Sequence, residues 1–206
     1  MLSSFPHLTN TEFDQACTNL QGACQPRIHL QNECTSVQLK HQNGIKYLRF
    51  TKTLPIIVTS TASKDDHDPN ELEEQDDEAL HPPINTQPLI NYDIVLSPAY
   101  QVPVLYASIS DTLHRFPPTM STLYEYLIPP QFKAQTDSVG VIGGITVTDH
   151  PATNRPVFFI HPCQTAQVMK AIVAGRDITA EEYLMVWIGS LGKFLGFDIP
   201  LVFVKE

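Results

Sequence analysis

The chain has 206 residues, 42% of them hydrophobic, which suits one domain with a proper core and is too little for two comfortable ones. Its formal charge of −9 is concentrated, because nine acidic residues and no lysine or arginine lie between Asp65 and Glu78. The remainder is formally neutral, no basic patch recommends nucleic acid as a partner, and no run approaches the roughly 18–20 apolar residues that span a bilayer.

The opening residues, Met1-Leu2-Ser3-Ser4-Phe5-Pro6-His7, carry neither a basic stretch nor an apolar one. That pattern predicts a cytoplasmic protein without a secretory signal. In that setting Cys17, Cys24, Cys34 and Cys163 are expected as free thiols. No C-x-x-C pair is present, so no zinc ribbon, other metal or cofactor is expected.

A first helix is predicted from about Thr9–Asn10, where Thr9 and Glu12 have capping-box spacing. Phe13, Ala16, Cys17, Leu20 and Cys24 follow one helical stripe, which makes Cys17 and Cys24 core thiols. Pro26 ends the helix. Asn43-Gly44 reads as a turn, and Ile45–Val58 as strand, with Pro55 at an edge or break. The acidic stretch at about 60–88, rich in proline and poor in large apolar residues, reads as a mobile insertion within the domain of residues 1–206.

Two strands follow, Tyr92–Leu96 and Pro103–Ile109, around a turn at Ser97–Gln101. A short helix is predicted near Thr122–Leu127. Val139–Thr148 reads as a strand with Gly143-Gly144 as a bulge. Asp149–Pro156 then forms a hairpin loop, and Val157–Ile160 returns. Two helices close the pattern. One runs from about Gln164 to Ala174, with Ala166, Met169, Ile172 and Val173 on one face and Gly175 as C-cap. The other starts at Thr179, again with a capping box to Glu182, and is apolar through Tyr183, Leu184, Trp187, Ile188, Leu191 and Leu195. Gly189, Gly192 and Gly196 each weaken it by about 1 kcal/mol relative to alanine, and fit close packing on the sheet. The element order predicts an α+β fold: an antiparallel meander sheet covered on one face by helices.

Cys163 differs from the other cysteines in position. It follows an apolar strand and precedes an amphipathic helix, where unpaired N–H groups and the helix dipole favour thiolate over thiol. A thiolate there can attack a thioester, hold the acyl group and surrender it. Pro162 restricts His161 to extended geometry, and His161 is placed to orient a carbonyl, assist proton transfer or simply bond backbone at the strand end. A metal site at His161 and Cys163 lacks a second ligand pair. A protease would need a base from among His29, His41, His114 and His150, and nothing marks one of them.

The run His161-Pro162-Cys163-Gln164-Thr165-Ala166 resembles the active-site signature of the autophagocytosis E2-like conjugating enzymes. Ile145–Pro151 and Arg155–Ile160 resemble the hairpin before that signature, and Glu181–Gly189 the helix after it. Ser97-x-x-Tyr100-x-x-Pro103 matches an upstream motif. The likeness covers about residues 91–200.

It implies an E2-like core and a thioester enzyme. Cys163 would take a ubiquitin-like modifier (autophagy-related protein twelve) from an E1-like enzyme (autophagy-related protein seven). It would then pass the modifier to a lysine of autophagy-related protein five, with transient presence at the autophagosome assembly site and no stable membrane insertion. Tyr100 matches a family tyrosine near the cysteine, and both Tyr100 and His161 are implied helpers of the transfer step. The His-Pro-Asn motif of ordinary E2 enzymes is absent.

Two other readings stand beside this one. A sister enzyme of the family passes its modifier to phosphatidylethanolamine, but typically has Lys-His where this chain has Gln164-Thr165. An inactive E2-like binding module would have no need of the cysteine.

Overall fold

The computed structural model describes residues 1–30, 34–55, 87–133 and 144–197. The first helix, α1, spans Asn10–Cys24. The Thr9 hydroxyl accepts the Glu12 N–H while the Glu12 carboxylate accepts the Thr9 N–H, so the expected capping box is formed. Phe13, Ala16, Cys17, Leu20 and Cys24 all point into the core.

Four strands then form a meander: β1 (Cys34–Gln42), β2 (Ile45–Thr53), β3 (Leu89–Leu96) and β4 (Pro103–Ser110). β1 escaped the sequence reading. As an edge strand it buries only Cys34 and Val37 fully, so its polar sequence shows no strong apolar alternation. β2 is observed only to Thr53, and the Ile56–Val58 end of the expected strand lies outside the described residues. So does nearly all of the acidic insertion.

The predicted short helix appears as α2 (Met120–Thr122), which widens into the looser helical turn Leu123–Leu127. The last hairpin consists of β5 (Ile145–Asp149) and β6 (Pro156–Ile160). The expected start of β5 at Val139, and Gly143 of its expected Gly143-Gly144 bulge, lie outside the described set, and Gly144 stands just before β5. The six-stranded sheet is antiparallel in the order β1-β2-β3-β4-β6-β5. Beyond β4 the meander turns inside out, because β6 rather than β5 lies against β4.

After β6 come α3 (Thr165–Val173) and α4 (Ala180–Leu191). α4 starts with the expected Thr179–Glu182 capping box. Ile172 departs from expectation. It is 40% exposed, and the buried side of α3 is made of Thr165, Met169 and Val173. The C-cap of α3 falls one residue before the expected Gly175, on Ala174, and both residues take the left-handed conformation. Of the three late glycines, Gly189 has open space around it, so close packing does not explain it. Gly192 lies against the Phe197 carbonyl, where a Cβ would sit 2.6 Å from the oxygen. Its close neighbour is thus the following chain, not the sheet.

The period-2 alternation of the strands sorts their side chains into two faces. Leu48, Phe50, Tyr92, Ile94, Leu105, Ala107, Phe158 and Ile160 join α1, α3 and α4 in the main core. This confirms the expected α+β arrangement, with helices on one face. Two buried tyrosines tie chain ends to that core: the Tyr92 hydroxyl donates to the Leu195 carbonyl and the Tyr183 hydroxyl to the Pro6 carbonyl. No helix among the described residues is long and apolar enough to cross a membrane.

The opposite face carries a row that crosses the sheet in register: Arg49, Asp93, Tyr106, Phe159 and Thr146. Asp93 is buried, and Arg49 donates to both its oxygens, Nε to Oδ1 at 2.7 Å and Nη2 to Oδ2 at 2.6 Å. Burial pushes the Asp93 carboxyl up, but the Arg49 bonds, aided by His150, outweigh it and leave the group below its ordinary value. A carboxyl whose native pKa is depressed adds stability above its unfolded pKa of about 4, and loses it as pH falls through the lower native value. Asp93→Asn should therefore be less stable than the parent at pH 7 by urea titration. That gap should narrow as the pH is taken below about 4; a gap independent of pH would rule out the charged pair as its source.

Candidate functional site

Pro162 has no N–H to give and a fixed φ, so β6 stops at Ile160 and the chain turns. Pro162–Gln164 form a single tight helical turn, and the Thr165 N–H closes it on the Pro162 carbonyl. Cys163 sits in that turn with an exposed side chain. Its own N–H is not free, as the helix-terminus picture supposed. It donates to His161 Nδ1 at 3.2 Å. A ring nitrogen that accepts carries no hydrogen, so the neutral His161 ring holds its hydrogen on Nε2. His161 thus acts as the cap of the turn that carries the thiol.

The His161 ring meets Phe159 on one side, at 6.0 Å between centroids, and Tyr100 on another, at 5.7 Å. The structure therefore brings His161, Cys163 and Tyr100 into one neighbourhood. Tyr100 is 43% exposed and rides on the β3–β4 turn. Within that turn the Tyr100 N–H donates to Ser97 Oγ, and the Gln101 N–H to the Ser97 carbonyl. Gln101 takes a left-handed φ of 52°.

The amino-terminal segment straps the turn down. His7 Nδ1 lies 3.1 Å from the Tyr100 carbonyl, which can only accept, so His7 is the donor. The Leu8 N–H donates to the Gln101 carbonyl at 2.8 Å. Sequence reasoning missed His7, since nothing in the local pattern links residue 7 to residue 100.

The other three cysteines are buried. Burial, with Asp14 nearby, pushes the Cys17 thiol up to about 12, and burial also raises Cys34. Neither suits a thiolate nucleophile at neutral pH. Of the histidines considered as bases, His150 is buried on the outer sheet face against Asp93, and the His29 side chain lies outside the described set. Among the described residues no cluster of three or more His, Cys, Asp or Glu side chains could hold a metal ion.

The sequence model of a family described as "autophagocytosis associated protein, active-site domain" matches residues 12–202. This chain belongs to that family. Relatives of the family member include the ubiquitin-like-conjugating enzyme ATG10 of Gibberella zeae, 32% identical over 142 residues, which are 66% of this chain and 57% of that one. The ATG10 enzyme of Dictyostelium discoideum is 26% identical over 128 residues, 57% of this chain and 55% of its own. That of Homo sapiens is 29% identical over 116 residues, 55% and 51%. The matched region thus spans little more than half the length of these curated relatives. A crystal structure of the autophagic E2 Atg10 superposes with a TM-score of 0.44 at 16% identity, covering 90% of this chain and 97% of that one. A likeness that distant bears no weight here.

The contrast in burial among the thiols has a direct chemical readout. Iodoacetamide added to the native family member should alkylate Cys163, with Cys17, Cys24 and Cys34 protected until denaturant is present, as read by peptide mass mapping. Native-state labelling of Cys17 or Cys24 at a rate matching Cys163 would contradict this arrangement.

Proposed function

We propose that the chain is an E2-like transferase that carries a ubiquitin-like modifier as a thioester on Cys163. One observation carries the reading: the exposed thiol of the family signature stands on a tight turn capped by His161, with Tyr100 beside that histidine. Residues 1–206 act as one E2-like domain in this account.

In the first step the Cys163 thiolate attacks the thioester between the modifier's C-terminal glycine and the E1-like enzyme, and the E1 thiolate leaves. In the second, an acceptor lysine amine attacks the Cys163 thioester. An isopeptide bond forms, the Cys163 thiolate leaves, and the amine gives up a proton. The proposed partners are autophagy-related protein seven as E1-like enzyme, autophagy-related protein twelve as modifier and autophagy-related protein five as acceptor. The site of action is the cytoplasm, with transient presence at the autophagosome assembly site.

The negative charge that develops on the thioester oxygen needs donors in place of the absent asparagine. His161 supports a donor role better than a base role. Its Nδ1 lone pair is engaged by the Cys163 N–H, and its Nε2 carries the hydrogen of the neutral ring. The Tyr100 hydroxyl is a second donor on an exposed, strapped-down turn.

A reconstituted charging assay on a non-reducing gel tests the reading. The native chain should give a thiol-sensitive adduct with the modifier, Cys163→Ser a thiol-resistant oxyester, and Cys163→Ala no adduct and no conjugate. Conjugation by Cys163→Ala would end the proposal. Charging with the lipid-conjugated modifier, and not with the protein-conjugated one, would assign the chain to the sister branch. Tyr100→Ala should charge normally yet discharge to the acceptor at least about tenfold more slowly. Equal discharge rates would return Tyr100 to a structural part in its turn.

A further inference from the structure

The β5–β6 hairpin delivers Cys163, yet its backbone register against β4 consists of two pairs, Tyr106 with Phe159 and Ala107 with Phe158. A short ladder of that kind fixes a strand weakly. Phe158 and Ile160 add the inner face of β6 to the main core, and a further anchorage is at the tip, which folds back over the outer face of the sheet. There Ala152 is fully buried and clusters with Tyr47 and Val95. Its carbonyl accepts from Asn43 Nδ2, in the β1–β2 turn, at 2.8 Å.

His150 is the centre of this tip. It is 1% exposed, and its ring stands edge-on to Tyr47 at 5.3 Å and to Tyr106 at 5.1 Å. Its Nδ1 accepts the Ala152 N–H at 3.1 Å, which leaves the hydrogen of the neutral ring on Nε2. Nε2 lies 3.3 Å from Asp93 Oδ2, off-line for a regular hydrogen bond but within the field of the carboxylate that Arg49 holds in place. From Tyr106 the ring contacts continue to Phe159, stacked at 6.0 Å, then to His161 and Tyr100.

We infer that His150 is a positioning residue for Cys163. Docked between Tyr47 and Tyr106 against the Asp93–Arg49 pair, it fixes the register of the hairpin and so sets Phe159 and His161 at the thiol.

The physical ground is the cost of the arrangement. A buried carboxylate under a hairpin tip is an expensive anchor, and apolar residues of equal volume commonly hold two elements together at least as well. What the polar arrangement adds is direction: a ring between two tyrosines, with an acceptor toward Ala152 and an N–H toward Asp93, fits in one orientation. A cleft of about 460 Å³ runs beside the tip, lined by Ile45, Val95, Pro98, Tyr106 and Pro151 among others. Small displacements at a reacting centre are costly, with about 1 Å sufficient for a hundredfold loss.

This inference rests on the reading of Cys163 as thioester carrier, and its test separates the two. His150→Phe keeps a ring between the tyrosines and loses both polar contacts. His150→Gln returns an N–H donor near the Nε2 position. Both are charged with modifier and followed for single-turnover discharge to the acceptor, alongside amide hydrogen exchange over residues 157–165. His150→Phe should discharge about tenfold more slowly at saturating acceptor, with faster exchange over 157–165, and His150→Gln should recover most of both.

Discharge and exchange by His150→Phe within twofold of the parent would overturn the inference, as would His150→Gln no better than His150→Phe. Should His150→Phe not fold, Asp93→Asn withdraws the carboxylate that faces His150 Nε2 and leaves the ring between its tyrosines. It should raise exchange over 157–165, and unchanged exchange there would likewise overturn the inference. A parent that never forms a thiol-sensitive adduct would sink the function and leave the exchange measurements to decide on the hairpin.

Discussion

Pro162 is the constraint on which the site depends. A residue with no N–H and a locked φ cannot prolong β6, so the chain must leave the sheet just where it reaches the helical layer. The turn it makes is one residue pair deep, and the Thr165 N–H closes it on the carbonyl of Pro162 itself. Cys163 is thereby lifted out of the core that claims the other three thiols. His161 completes the arrangement by taking up the one N–H that the turn leaves at the cysteine. Strand end, cap and exposed thiol are one local solution to the presence of a single proline.

The sheet underneath gives that solution a fixed address. Its inner face is a conventional apolar layer against α1, α3 and α4. Its outer face is less ordinary. Arg49, Asp93, Tyr106 and Phe159 stand side by side on four neighbouring strands, and the hairpin tip closes over them. A polar pair at the middle and rings toward His161 make this face a series of contacts between the β1–β2 turn and the turn that carries the cysteine. No wire is implied. The contacts are rigid neighbours that restrict one another's positions.

Much of this was legible in the sequence, for identifiable reasons. The capping boxes at Thr9–Glu12 and Thr179–Glu182 are local, so spacing alone located both helix starts. The strands that bury one face show their alternation. β1 does not, since as an edge strand it answers to water as much as to the core. Ile172 was misassigned because α3 offers only a narrow stripe to the core and the apolar residues outnumber the places for them. Cys163 stood out because strand, proline and helix are adjacent in sequence. His150, Asp93 and His7 did not, because what gives each its role is a partner many residues away: Tyr47 and Asp93 for the first, Arg49 for the second, Tyr100 for the third.

The strap from His7 and Leu8 to the Tyr100 turn gives the site a divided ancestry. The thiol is held through β6 and its hairpin; the tyrosine is held through the amino-terminal segment, 93 residues distant along the chain. Fraying at the amino end reaches Tyr100 without passing through β6, and loosening of the hairpin reaches Cys163 without disturbing the strap. On the proposed reading, acceptance of a modifier would depend on the hairpin, and its release to an amine on the strap as well. A change in the first eight residues, far from Cys163 in sequence, would then bear on the second more than on the first.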